Sequence, residues 1–180
     1  MTTSTVNHAP PPTTTRDEPI PFGRLLRVEW GKRLDTRAAR WLLTGIALLT
    51  AGAALVPVFL PDQIQQGWLS HLALTGLVLA LLLPLVSILT LTSEWGQRSV
   101  LVTFTQEPRR HRVVAAKVLA GLILALLGAA YAAGVTAAAM AASDTLGRSV
   151  AWSVDGRYLL GFTLFVLVNS LMGMAFGALL

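Results

Sequence analysis

The side chains of this chain best suited to chemistry are its cations, and they stand in two clusters. Arg16, Arg24, Arg27, Lys32, Arg33, Arg37 and Arg40 precede the first long apolar stretch, while Arg98, Arg109, Arg110, Arg112 and Lys117 lie between the second and the third. Set beside apolar stretches, such clusters do the chemistry of an interface. Each cation near an anionic leaflet is worth ~1 kcal/mol of attraction to lipid headgroups. That accounts for the net charge of +5 and the pI near 10.7 without nucleic acid, and no nucleic-acid partner is expected. Anionic lipids are.

The residues of catalysis are missing. There is no HExxH pair and no carboxylate pair within an apolar stretch. Gly31 and Lys32 are followed by Arg33, without the upstream glycine of a phosphate-binding loop. No cysteine occurs, which excludes disulfides, thiolate metal sites and a thiol nucleophile. No cofactor and no enzymatic activity of its own are expected. Nor is an ionisable residue set deep in an apolar stretch, where ion-coupled carriers usually keep one. If the chain moves a solute uphill, another protein supplies the energy.

The elements that position the cations are four uncharged apolar stretches at about 41–60, 71–92, 118–142 and 158–180. A hydrocarbon core about 30 Å thick needs roughly 20 apolar helical residues, so each is long enough to cross it. A mean hydropathy of +0.64, with 54% hydrophobic and 13% charged residues, agrees. The fold class is therefore all-α: a polytopic transmembrane bundle with an amphipathic interfacial helix before it. The first connection, Pro61 to Ser70, has no basic residue, and the third, Ser143 to Arg157, balances Arg148 and Arg157 with Asp144 and Asp155. By the positive-inside rule the N-terminus and the second connection face the cytoplasm of a multi-pass cell-membrane protein. Trp41, Trp68, Trp95, Trp152 and Tyr158 fall near the span ends, in the half-wet layer that such rings favour.

Residues 1–21 are polar and proline-rich and read as a disordered cytoplasmic tail, with no secretory signal pattern. Over 22–40, Phe22, Leu25, Leu26, Trp30, Leu34 and Ala38 recur at helical spacing, with Asp35 or Thr36 suited to capping the next helix. Within the spans, Pro84 removes a backbone hydrogen bond, and packing rather than a hinge is the expected use of the resulting bend. Gly121, Ala125, Ala129, Ala133, Ala137 and Ala141 recur at every fourth position, and Gly173 and Gly177 form a GxxxG pair. Both read as close packing within the chain. Asn169 is expected to hydrogen-bond another helix, and His71 to lie at the outer interface beside Trp68.

The second connection, 94–112, is more than a turn. Arg98, Val100, Leu101 and Phe104 can share a short interfacial helix, which Pro108 then breaks before Arg109, Arg110 and Arg112 lead into the third span. A partner gripping such a helix pulls on two spans at once.

The runs Glu94-Trp95-Gly96-Gln97-Arg98, Leu101-Val102-Thr103-Phe104-Thr105 and Pro108 to Lys117 resemble the cytoplasmic loop of ABC transporter permeases of the type-two exporter class. Arg27 to Arg37 resembles the membrane-entry helix of the same permeases. The resemblance implies a six-span permease subunit coupled to a separate ABC ATPase subunit, with a second permease subunit completing the pathway as a homo- or heterodimer. It places Glu94 and Arg98 on the loop helix facing the ATPase, and Pro108, Arg109, Arg110 and Lys117 on the return into the membrane. Four of the six spans are present, and the expectation is a truncated permease ending at Leu180. The alternative reading is a non-transporting membrane anchor or assembly protein with a basic cytoplasmic face.

Overall fold

The computed structural model describes residues 21–35, 37–96 and 110–179. The expected tail falls almost wholly outside them, as does most of the 94–112 connection. Among the described residues the chain is all-α, with helices α1 (Phe22–Asp35), α2 (Arg37–Phe59), α3 (Trp68–Gly96), α4 (Arg110–Thr145) and α5 (Gly156–Leu179). The last four are long and apolar enough to span a bilayer. Helices α3 and α4 run past the apolar limits of their spans, α4 by two turns at its start. Of the expected 22–40 helix, α1 covers Phe22–Asp35, and the residues from Arg37 belong to α2.

At most 39% of the apolar window of any span is buried. Leu48, Leu81, Leu127, Leu164 and Phe176 are among the large apolar side chains left facing outward. Water around such a surface would be costly at ~25 cal/mol per Å², so lipid is its solvent and the chain is a multi-pass membrane protein. Several polar side chains accordingly bond to their own helices, while the Tyr131 hydroxyl donates across to Ala47 O of α2 at 3.0 Å. Thr50 Oγ1 donates to Ile46 O at 2.7 Å, Thr163 Oγ1 to Leu159 O at 2.8 Å and Asn169 Nδ2 to Phe165 O at 2.8 Å. Asn169 therefore satisfies its amide on the preceding turn, and not on another helix as expected from its type.

The core is thin, with alanines of α4 set against branched aliphatic side chains of the other spans. Ile46 from α2, Leu79, Leu83 and Val86 from α3, Ala125, Ala129 and Ala132 from α4 and Val166 from α5 form its main cluster. A smaller one joins Ala54 and Val58 to Ala139. The every-fourth stripe on α4 stays in the core only as far as Ala129, and Ala141 at its far end is exposed. Four residues turn an α-helix by about 400°, so each step drifts about 40° around the axis. The buried line instead mixes steps of three and four, through Ala125, Ala129, Ala132, Thr136 and Ala139.

The GxxxG pair does lie in the α3–α5 contact. A Cβ built on Gly173 would stand 2.8 Å from the carbonyl oxygen of Pro84, and one on Gly177 3.0 Å from the Ile88 Cα. The backbone of α5 thus lies against the Pro84 turn of α3, where no side chain fits between them.

At the end remote from α1, the connections are tied to one another. The last carbonyls of α2 lack helical partners, and two side chains supply them: Gln66 Nε2 donates to Pro57 O at 2.6 Å, and the Arg148 guanidinium donates to Val58 O. Gly147, at φ +74°, ends α4 in a Schellman turn, with its N–H on Asp144 O and that of Arg148 on Ser143 O. Ser143 Oγ donates to Gln66 Oε1 at 2.9 Å, Ala151 N to Gln66 O at 2.9 Å, and Trp68 Nε1 to Trp152 O at 3.2 Å.

Gly173→Leu is expected to lower stability by about 1–3 kcal/mol through overpacking against Pro84, read as an earlier denaturant midpoint in detergent. Gly52→Ala, where a Cβ meets nothing within 4 Å, is expected to leave the midpoint unchanged.

Candidate functional site

Helix α1 packs on the beginning of α4, and the contact holds a charge that sequence reading placed only within a longer motif. Glu29 lies three to four residues after Leu25 and Leu26, on the face that turns inward, and is 6% exposed. That spacing was the available signal: a carboxylate in register with the apolar positions of an amphipathic helix. A buried carboxylate needs cations, and two converge on it. Lys117 Nζ reaches Glu29 Oε2 at 3.1 Å and Lys32 Nζ reaches Oε1 at 2.9 Å. Both carboxylate oxygens are thereby engaged. Lys32 comes from the next turn of α1, whereas Lys117 crosses from α4, 88 positions along the chain.

Burial by itself raises the pKa of Glu29. The charges and hydrogen bonds of Lys117 and Lys32 together outweigh it, and the pKa lies below the ordinary carboxylate value. A carboxyl depressed in the folded state contributes stability that is fully present above its unfolded pKa. That contribution is lost as the pH falls through the folded value.

Of the six residues expected to couple to a partner, Glu94, Arg110 and Lys117 lie within the described residues. Lys117 lies two turns inside α4, turned toward α1, where its role is to hold Glu29. Arg110 is the first residue of α4, and Glu94 belongs to the last turn of α3. Arg98, Pro108 and Arg109 lie outside the described residues, as does the expected short helix around Val100 to Phe104. Glu94 and Arg110 therefore mark where the connection leaves α3 and enters α4, on the side of the bundle that carries α1. No cluster of three metal-ligating side chains occurs among the described residues.

His71 stands in the first turn of α3, three residues after Trp68. It is not an exposed interfacial ring but wholly buried, with Nδ1 2.9 Å from Gly67 O and Nε2 without a hydrogen-bond partner among the described residues. The Gly67 carbonyl, which also accepts the backbone N–H of His71 at 3.4 Å, fixes the ring at the start of its own helix.

The arrangement at Glu29 performs no bond chemistry. It is a clasp that fixes α1 to the root of α4, so that displacement of the α4 root carries α1 with it. Lys117→Met is expected to free α1, because it leaves Glu29 buried with a weaker set of partners; the cost is about 3 kcal/mol, the lower end for a broken buried pair. Spin labels on α1 and α4 should report a broadened distance distribution. In the unaltered chain the same labels are expected to separate as the pH is lowered below the ordinary carboxylate range. Glu29→Gln should remove that pH dependence.

No protein-family model, curated protein or solved structure matches the chain, so its function has to be argued from these contacts and from the membrane fold.

Proposed function

We propose that the chain is the membrane-spanning permease subunit of an ATP-driven ABC exporter, worked through its 94–112 connection by a separate ATPase. The observation that carries the reading is the clasp: the helix that receives the connection is ion-paired to the interfacial helix α1. A force applied at 94–112 acts on the end of α3, the start of α4 and, through Lys117 and Glu29, on α1. Three elements on one side of the bundle then move as a group, while Gln66, Ser143 and Arg148 tie the connections at the other side. A membrane element gripped at one end and braced at the other is suited to rigid-body tilting between two states.

The charge pattern puts the gripped side in the cytoplasm, where ATP is hydrolysed. In this reading the partner carries the phosphate-binding loop and hydrolyses the ATP. Arg98, Arg109 and Arg110, together with Glu94, give the sequence of the 94–112 connection charges of both signs, which suits docking on a charged partner. A second permease subunit lines the pathway opposite this one.

The Arg109→Glu, Arg110→Glu double variant is expected to insert normally and to lose the ATPase from the affinity-purified complex, with transport-dependent ATP hydrolysis falling to the basal rate. Undiminished co-purification and coupling in that variant would refute the docking role.

A further inference from the structure

Toward the end of the bundle remote from α1, helices α3 and α5 flank a groove of about 430 Å³. This is within the roughly 300–1,000 Å³ typical of small-ligand sites. Leu72, Gly76 and Leu77 line it from α3, and Gly161, Phe162 and Phe165 from α5. Gly76 and Gly161 bring no side chain into it, and the Phe162 ring lies over Gly76. The Phe162 ring lies 3.0 Å from where a Gly76 Cβ would stand, whereas a Cβ on Gly161 would meet nothing within 4 Å. Arg157 and Tyr158, both exposed in the first turn of α5, also line the groove and place its mouth at the helix start. Every other lining side chain is apolar.

We infer that this groove holds one acyl chain of a membrane phospholipid, with the headgroup phosphate on the Arg157 guanidinium. Three observations select that occupant. From the start of α5 to Phe165 is nine residues, about 13 Å at 1.5 Å each, which matches the roughly 15 Å of one leaflet's hydrocarbon. The walls offer no hydrogen bond to a polar solute, so only an apolar chain fills them without loss. The charge at the mouth is a cation at headgroup level. Asp155 beside it accepts the backbone N–H of Arg157 at 2.9 Å, which commits that carboxylate to starting the helix. A planar guanidinium binds phosphate with paired, charge-assisted hydrogen bonds, and Tyr158 suits the same half-wet layer. The site is on the opposite side of the bundle from the basic clusters. It depends on the membrane fold and not on the exporter reading.

The test uses the full chain in nanodiscs of mixed phosphatidylglycerol and phosphatidylcholine, with a trace of phosphatidylglycerol carrying a photoactivatable group on one acyl chain. Cross-links mapped by mass spectrometry are expected to concentrate on 69–77 and 157–165. Gly161→Phe, which fills the groove through open space, should reduce them at least about tenfold with helicity and melting temperature unchanged. Arg157→Gln, at an exposed position, should lower retention of phosphatidylglycerol by about tenfold, the equivalent of one charge-assisted contact. Cross-links spread evenly over Leu48, Leu127 and the groove would mean an annular lipid only and overturn the proposal. So would labelling that persists in both variants, or a chemically cross-linked dimer that Gly161→Phe dissolves, which would make a second copy of the chain the occupant.

Discussion

Hydrocarbon accepts and donates no hydrogen bonds, and nearly every feature of this structure answers that constraint. Backbone groups are satisfied inside four long helices; Thr50, Thr163 and the one intramembrane amide turn back onto the carbonyl one turn earlier, and Tyr131 donates to Ala47 O on the facing helix. Where helices end, side chains supply what the missing turn would have given. Gln66 and Arg148 serve α2 in this way, although each belongs to a different connection. The lipid requirement is therefore also what draws the two connections together at that end.

With no hydrophobic drive between helices in lipid, close contact has to come from shape. Gly173 against Pro84 is the tightest instance. The proline ring and the missing amide distort the ideal surface of α3, and a glycine backbone is the complementary surface. The alanine-lined face of α4 serves the same purpose with less intimacy. Beyond these contacts the large leucines and phenylalanines point outward, the reverse of a water-soluble protein.

The two ends of the bundle differ in the forces that hold them. Remote from α1, hydrogen bonds to backbone carbonyls tie the connections, and these change little with salt or pH. At the α1 side an ion pair and its second lysine hold an interfacial helix to the α4 root. Such a contact is directional and sensitive to charge, and replacing one partner leaves the other buried. A helix joined in this manner follows its partner's movement, which is the property the exporter reading draws upon.

The sequence by itself determined that lipid surrounds this chain, that the described residues hold four spans and which connections carry positive charge. Those follow from local composition, because span length and charge exclusion are properties of single segments. It also marked Gly173 and Gly177 as a packing face, since GxxxG is a pattern within one helix. Tertiary structure alone decided which side chains meet. Glu29 is set in a basic, amphipathic stretch and looks solvated until α4 covers it, and its partner Lys117 stands 88 residues away. The α4 stripe was legible as small residues but not as a surface, because a strict step of four drifts around the axis while the neighbouring helices do not. His71 and Asn169 were placed by type, and their partners proved to be carbonyls of their own helices or turns, a choice set by burial. Segments announce their solvent; only packing announces their neighbours.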